Sequence, residues 1–393
     1  MRTLISLLAM LLLAPIAADV AAQARRPGSS DEVIEHIPEF KRQQALRRLQ
    51  ELLRAQPADE DLAAAVVQAQ LTLARRTGDP RYLGYAQTSL APWWSDPAPP
   101  PRIALLRASV LQKRHEFPAA LKDYDYVLRR EGNNGNALFA RAVIHQVTGD
   151  YARAAQDCRL LMALRADSAA AACLASVQGL NGQGQQSARA LQRLLVRGNE
   201  LDPELRVWIL TASAELAQRL GRPAEARQYF EVALPLSPQD PYLLGAYADF
   251  LLAMKQPQET LTLLKDAGAS DAMLLRRALA QRALGQDAGA AIAQLRERFA
   301  GYQQRKDGSH SRERARFALH LEDDPRLALQ LARDNWERQR EPADTALVLA
   351  AALKARDAGA AQATLGWLRA ARLEDVELAR LAQAIRQLPR GGA

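Results

Sequence analysis

The sequence predicts an all-α chain built as a solenoid of antiparallel helix pairs, and three observations carry that expectation. The 393 residues are rich in Ala, Leu, Arg and Gln, which lose little side-chain freedom in a helix, while aromatics make up only 5%. Strand-forming runs of Val, Ile, Thr and Tyr are nearly absent. The chain also repeats itself. Ala108, Leu111, Phe117, Ala120 and Tyr124 fall 34 residues before Ala142, His145, Tyr151, Ala154 and Cys158, and a fixed period of this size marks stacked helical units.

The first segment stands apart from the fold. Residues 1–24 have an Arg near the start, an apolar stretch from Leu4 to Leu13, and small residues ending at Ala22-Gln23-Ala24. That is the plan of a secretory signal peptide. The apolar stretch is short for a bilayer span, and a retained anchor is the alternative. No Cys stands at the cleavage site to carry a lipid, and no later segment is apolar enough to cross a membrane. The expected mature protein is therefore periplasmic or secreted, in a Gram-negative envelope, with no stable membrane insertion. Its net charge of +8 raises the question of nucleic acid. The arginine pairs Arg47-Arg48, Arg75-Arg76, Arg129-Arg130 and Arg276-Arg277 are scattered over helix ends without interleaved aromatics, so the charge is read as solvated helix surface and no nucleic-acid partner is expected.

The clearest unit is LTASAELAQRLGRPAEARQYFEVALPLSP, with Ala214, Gly221, Ala226, Phe230, Ala233, Leu234 and Pro238. These positions resemble the tetratricopeptide repeat, in which small residues let two antiparallel helices approach closely and a large one fills the gap to the next unit. The resemblance implies a right-handed superhelical solenoid. One small position recurs at Ala45, Ala86, Ala120, Ala154, Ala188, Ala226, Thr260, Ala290, Ala328 and Ala363. Residues 25–39 then read as a lead-in, 40–372 as a solenoid of about nine units after a half unit, and 373–393 as a capping helix and tail. Pro80, Pro118, Pro223, Pro257 and Pro325 each follow the turn inside a unit, where a missing N–H costs a helix start nothing.

Catalytic and metal chemistry are not evident. The five histidines are dispersed, and there is no HExxH, CxxC or calcium loop, so no metal or cofactor is expected. His145 falls at a packing position, and His115, in a turn, is expected to be solvated. GLNGQGQQS, residues 179–187, has no preceding strand and reads as a turn rather than a phosphate loop; EGNNGN, 131–136, reads as a cap and turn.

The family resemblance implies where a partner binds: on the first helix of each unit, facing a concave groove. The candidates are Ser109, Gln112, Asn136, Phe139, Val143, Gln146, Trp208, Thr211, Glu215, Tyr242 and Asp249. They lack the Lys and Asn arrangement with which chaperone-binding members clamp a terminal carboxylate. Cys158 and Cys173 lie on consecutive antiparallel helices and in an oxidising compartment either pair or remain two buried thiols. Trp93 and Trp94, in SLAPWWSDPAPPPR, either pack over a shortened helix or form an exposed aromatic patch. The expected function is a non-enzymatic, exported scaffold for a protein or peptide partner. A structural part of a membrane-associated assembly or secretion complex and an envelope-polymer hydrolase on a helical superstructure are the alternatives.

Overall fold

The computed structural model describes residues 38–164, 167–196, 198–268, 270–304 and 310–388. The expected signal peptide lies outside the described residues. Two units are distinguished, residues 1–48 and 49–393. In the first, the described residues belong to the beginning of α1 (Pro38–Ala55), where Ala45 is exposed rather than at a packing position.

The second unit is an all-α superhelical repeat with no strand among the described residues. Its helices pair in chain order: α2 (Glu60–Thr77) with α3 (Arg81–Ser89), followed by the single turn α4 (Ala91–Trp94); α5 (Pro101–Lys113) with α6 (Phe117–Arg130); α7 (Gly135–Val147) with α8 (Tyr151–Leu164); and α9 (Ser168–Leu180) with α10 (Gly184–Val196). The series continues as α11 (Pro203–Arg219) with α12 (Pro223–Ala233), α13 (Pro241–Ala253) with α14 (Pro257–Leu263), α15 (Asp271–Ala283) with α16 (Gly289–Gln304), α17 (Ser311–His320) with α18 (Pro325–Trp336), and α19 (Pro342–Ala355) with α20 (Gln362–Ala371). Helix α21 (Val376–Arg386) follows. The first helix of each pair is called A below, the second B.

Local chemistry explains the regularity. Asp59, Asn134, Asp167, Asp202, Asp240, Asp324 and Asp375 cap helix starts by accepting a hydrogen bond from a first-turn N–H. Most A–B turns end the A helix with one residue at positive φ: His115, Gly149, Gly182, Gly221, Lys255, Gly285 and Arg356. After each, the next N–H reaches five residues back, as from Asp150 to the His145 carbonyl at 2.8 Å.

The small position is completely buried at Ala86, Ala120, Ala154, Ala226, Thr260 and Ala328. Elsewhere the register differs. Ser187, not Ala188, is buried, its hydroxyl donating 2.6 Å to the Ala175 carbonyl; Thr364 replaces Ala363, and Ala290 is exposed while Ala288 is buried. One residue gained or lost in a turn rotates the following helix by about 100°, which moves a whole stripe off its face.

The unit also folds back on itself. One large core joins α7, α8 and α9 to α17, α18, α19, α20 and α21, with Tyr151, Cys158 and Cys173 on one side and Trp336, Leu365 and Leu381 on the other. Trp367 lies edge-on to Trp336, ring centroids 5.7 Å apart, and 6.0 Å from Tyr151. Cys158 and Cys173 are joined by a disulfide that ties α8 to α9 inside this core. His115 is not a solvated turn residue: its Nδ1 is 2.8 Å from Gln339 Nε2 and its ring stacks on Phe117. Burial, then the Arg312 charge, pushes its pKa down.

Candidate partner-binding groove

The candidate residues all lie on A helices, α5, α7, α11 and α13, and fall in three groups. The first lies around a cleft of about 240 Å³ lined by Leu71, Thr72, Arg75, Ser109, Gln112, Lys113, Tyr124 and Ala140. The Tyr124 hydroxyl donates to Gln112 Oε1 at 2.8 Å, and burial pushes its pKa up to about 12. Ser109 donates back to the Leu105 carbonyl, 2.9 Å. Lys113 is exposed to water but surrounded by protein, and burial, then the Arg75 charge, lowers its pKa.

The second group is aromatic. Phe139 on α7 and Trp208 on α11 meet edge-on, centroids 5.8 Å apart, both half-buried. Val143 and Gln146 are half-buried on the same helix as Phe139, and Asn136 is exposed at its start. Thr211 offers no surface: it is 2% exposed and its hydroxyl donates to the Val207 carbonyl. A hydroxyl at this A-helix position satisfies itself one turn back and points into the packing.

The third group is charged. Tyr242, 58% exposed, donates to both Glu215 oxygens, at 2.9 and 3.1 Å. Burial pushes the Glu215 carboxyl up to about 7 against the pull of Arg219, and the Glu215 charge in turn drives the Tyr242 hydroxyl well above its ordinary value. Asp249 is held between two guanidiniums, Arg276 and Arg316, the latter at 2.8 Å. Burial opposes its charge, yet the two arginines hold its pKa down to about 2. The network continues where sequence reasoning named nothing: Arg312 on α17 forms paired hydrogen bonds with Asp344, 2.6 Å each, and a further one with Glu341. Four A helices, α13, α15, α17 and α19, are thus linked through side chains.

Trp93 and Trp94 are half-buried, and Trp94 packs on the core formed by α5, α6 and α7. Their backbone is fastened by Arg107, whose Nη1 donates to the carbonyls of Trp93, Trp94 and Asp96 at 2.6, 3.0 and 2.9 Å. The same guanidinium makes two bonds to Asp123, 2.7 and 2.8 Å. The helix is interrupted ahead of the tryptophans: α3 ends at Ser89 and Pro92 lies within the first turn of α4.

Among the described residues, no group of three or more His, Cys, Asp or Glu is placed to hold a metal ion, and no helix is long and apolar enough to cross a membrane.

Residues 105–171 and 174–241 match the sequence profile of the tetratricopeptide repeat. Over these residues the chain is built of tetratricopeptide repeats. The matched segments span α5 to α12. Tetratricopeptide repeats are protein–protein interaction scaffolds, and the family is typically non-catalytic. No curated protein matches the chain. Solved structures similar to it include a tetratricopeptide repeat protein from Parabacteroides merdae, 20% identical, covering 58% of this chain and 86% of that one with a TM-score of 0.45. The Cut9–Hcn1 hetero-tetramer of APC/C is 16% identical, covering 80% and 60%, TM-score 0.43. The human IFIT1 dimer with m7Gppp-AAAA is 14% identical, covering 88% and 87%, TM-score 0.43.

Proposed function

We propose that this tetratricopeptide repeat protein is an exported, non-catalytic scaffold that holds a protein or peptide against the inner face of its A helices. Export rests on the signal-like residues 1–24 and places the protein in a periplasm or outside the cell. The observation that carries the binding reading is the set of groups that the A helices bring together. These are the Lys113 cleft, the Phe139–Trp208 pair and the Glu215–Tyr242 pair. Aromatic anchors flanked by hydrogen-bonding groups of both charges are the arrangement that dominates binding energy in protein interfaces.

The test places a photo-crosslinking residue at Gln146, on the inner face, or at Arg193, exposed on α10, in the full-length exported protein. Discrete crosslinked products at position 146 that are absent at 193 are the expected result. Equal crosslinking at both, or glycan release by the purified protein, would overturn the reading. Intact Met1 in the mature protein would separately overturn export by a cleaved signal.

A further inference from the structure

In a superhelix of helix pairs, the gap between successive turns is a lateral door to the inner face. In residues 49–393 that gap is bridged along two stretches. On one stretch of it, Arg75 at the end of α2 bonds Glu204 at the start of α11, 2.8 Å, and Gly78 lies against Ser270 before α15. On the next stretch, the A–B turns of α5/α6, α7/α8, α9/α10 and α11/α12 meet the C-terminal residues in chain order. His115 meets Gln339, the Val147 carbonyl accepts from the Arg340 N–H at 2.7 Å, and Gly149 lies under Trp367. Gly182 then lies against Arg372, the Gly184 N–H donates to Glu374 at 2.6 Å, and Gly221 touches Val376.

The glycines are spaced for this contact and not only for their turns. A Cβ on Gly149 would sit 2.8 Å from Trp367 Cζ2, on Gly182 3.0 Å from Arg372 Cβ, and on Gly184 2.6 Å from Glu374 Oε2. Glu374 supplies the start of α10 with an acceptor from 190 residues away, satisfying an N–H that the helix itself leaves unpaired. Behind the seam lies the shared core of α7 to α9 with α17 to α21, so the closure is packed as a domain interior is, not as a mobile flap.

We infer that the seam is permanently sealed, so that the inner face admits an extended chain end entering along the superhelix axis and excludes folded domains and internal loops. The inference rests on the binding reading above for its use, but its geometry is testable without a partner. Tyr242 keeps 58% of its surface accessible, so space remains beside it that a thin chain can enter.

The experiment uses the full chain carrying Tyr242→Cys; the native cysteines are already paired. Two maleimide probes are compared, one on the end of a flexible, unstructured peptide and one on a loop of a small folded domain. Labelling is then repeated after locking the seam with Gly78→Cys plus Ser270→Cys, where the two Cβ positions are 3.5 Å apart, inside the disulfide range. Gly221→Cys plus Val376→Cys is the second lock, at the other stretch, where a Gly221 Cβ would lie 3.2 Å from Val376 Cγ1. The peptide probe is expected to react at least about tenfold faster than the folded probe, and neither lock to change that rate. Labelling by the folded probe at the peptide's rate, or loss of peptide labelling in either locked protein, would overturn the sealed seam. A peptide probe that labels as expected while the crosslinks at Gln146 fail would leave the seam standing and remove only the binding reading.

Discussion

Gly149 and Gly285 end A helices in the same way, with φ of +79° and +69°, but only Gly149 lies on the seam. Replacing either by Ala imposes left-handed backbone strain of about 1–2 kcal/mol. At Gly285 nothing lies within 4 Å of the added Cβ, so strain is the whole cost. At Gly149 the Cβ would meet Trp367 Cζ2 at 2.8 Å and Cε2 and Nε1 at 3.1 Å. The indole has little freedom to yield, held edge-on by Trp336 and flanked by Tyr151. Overpacking of this kind adds about 1–3 kcal/mol, so Gly149→Ala is expected to cost that much more than Gly285→Ala. Equilibrium urea midpoints, read by circular dichroism at matched slopes, measure the difference. Combining Gly149→Ala with Trp367→Phe should recover part of the excess, because the smaller ring leaves room, and a double-mutant cycle quantifies the coupling. Equal costs for the two alanine variants, with no coupling to position 367, would refute the seating of the C-terminal residues on the A–B turns.

Three further outcomes follow from the same structure. Arg107→Ala leaves the Asp123 carboxylate, 9% exposed, without its partner and three carbonyls without a donor; a loss of about 3–5 kcal/mol in urea unfolding and a red-shifted tryptophan emission are expected. Glu215 binds its proton more tightly folded, near 7, than in its unperturbed state at 4.5, so it lowers stability as pH rises from about 4.5 to about 7. Thermal melts of Glu215→Gln should therefore match the native protein near pH 4.5 and exceed it above pH 7; an advantage that grows toward acid would contradict the sign. Reducing the Cys158–Cys173 bond, which closes a 15-residue loop, should cost about 3 kcal/mol in unfolding free energy, with the loss absent in a Cys158→Ala, Cys173→Ala protein.

The repeat architecture was legible because it is local. Caps such as Asn134 and Asp240, helix-opening prolines, and small residues 34 apart each act within one unit, and each appears in the structure where its chemistry requires. Register was less legible where turns change length, as at Ser187 and Thr364, because a single residue there moves the buried stripe. The sequence does carry one signal of these pairs: Arg107 and Arg141 are 34 residues apart, as are Asp123 and Asp157, and the structure pairs them within each unit. Charges that recur at the repeat period on packed helices mark buried ion pairs rather than solvated surface. The inner-face network of Arg276, Arg312, Arg316, Asp249 and Asp344 and the seam from Gly78 to Val376 were not legible, since they join residues from about 30 to over 200 positions apart. Superhelical closure is set by the summed rotation of many pairs, which no single motif records.

The central claim is that a partner is held on the inner face, and the most direct measurement is the affinity of the protein captured at Gln146 for two variants. One carries Phe139→Ala with Trp208→Ala on the inner face, the other Leu160→Ser with Val232→Ser on exposed B-helix positions, each checked by its melting curve. The account predicts at least about a tenfold loss for the inner-face pair and none for the outer pair. Unchanged affinity in the first variant, or an equal loss in the second, would contradict it.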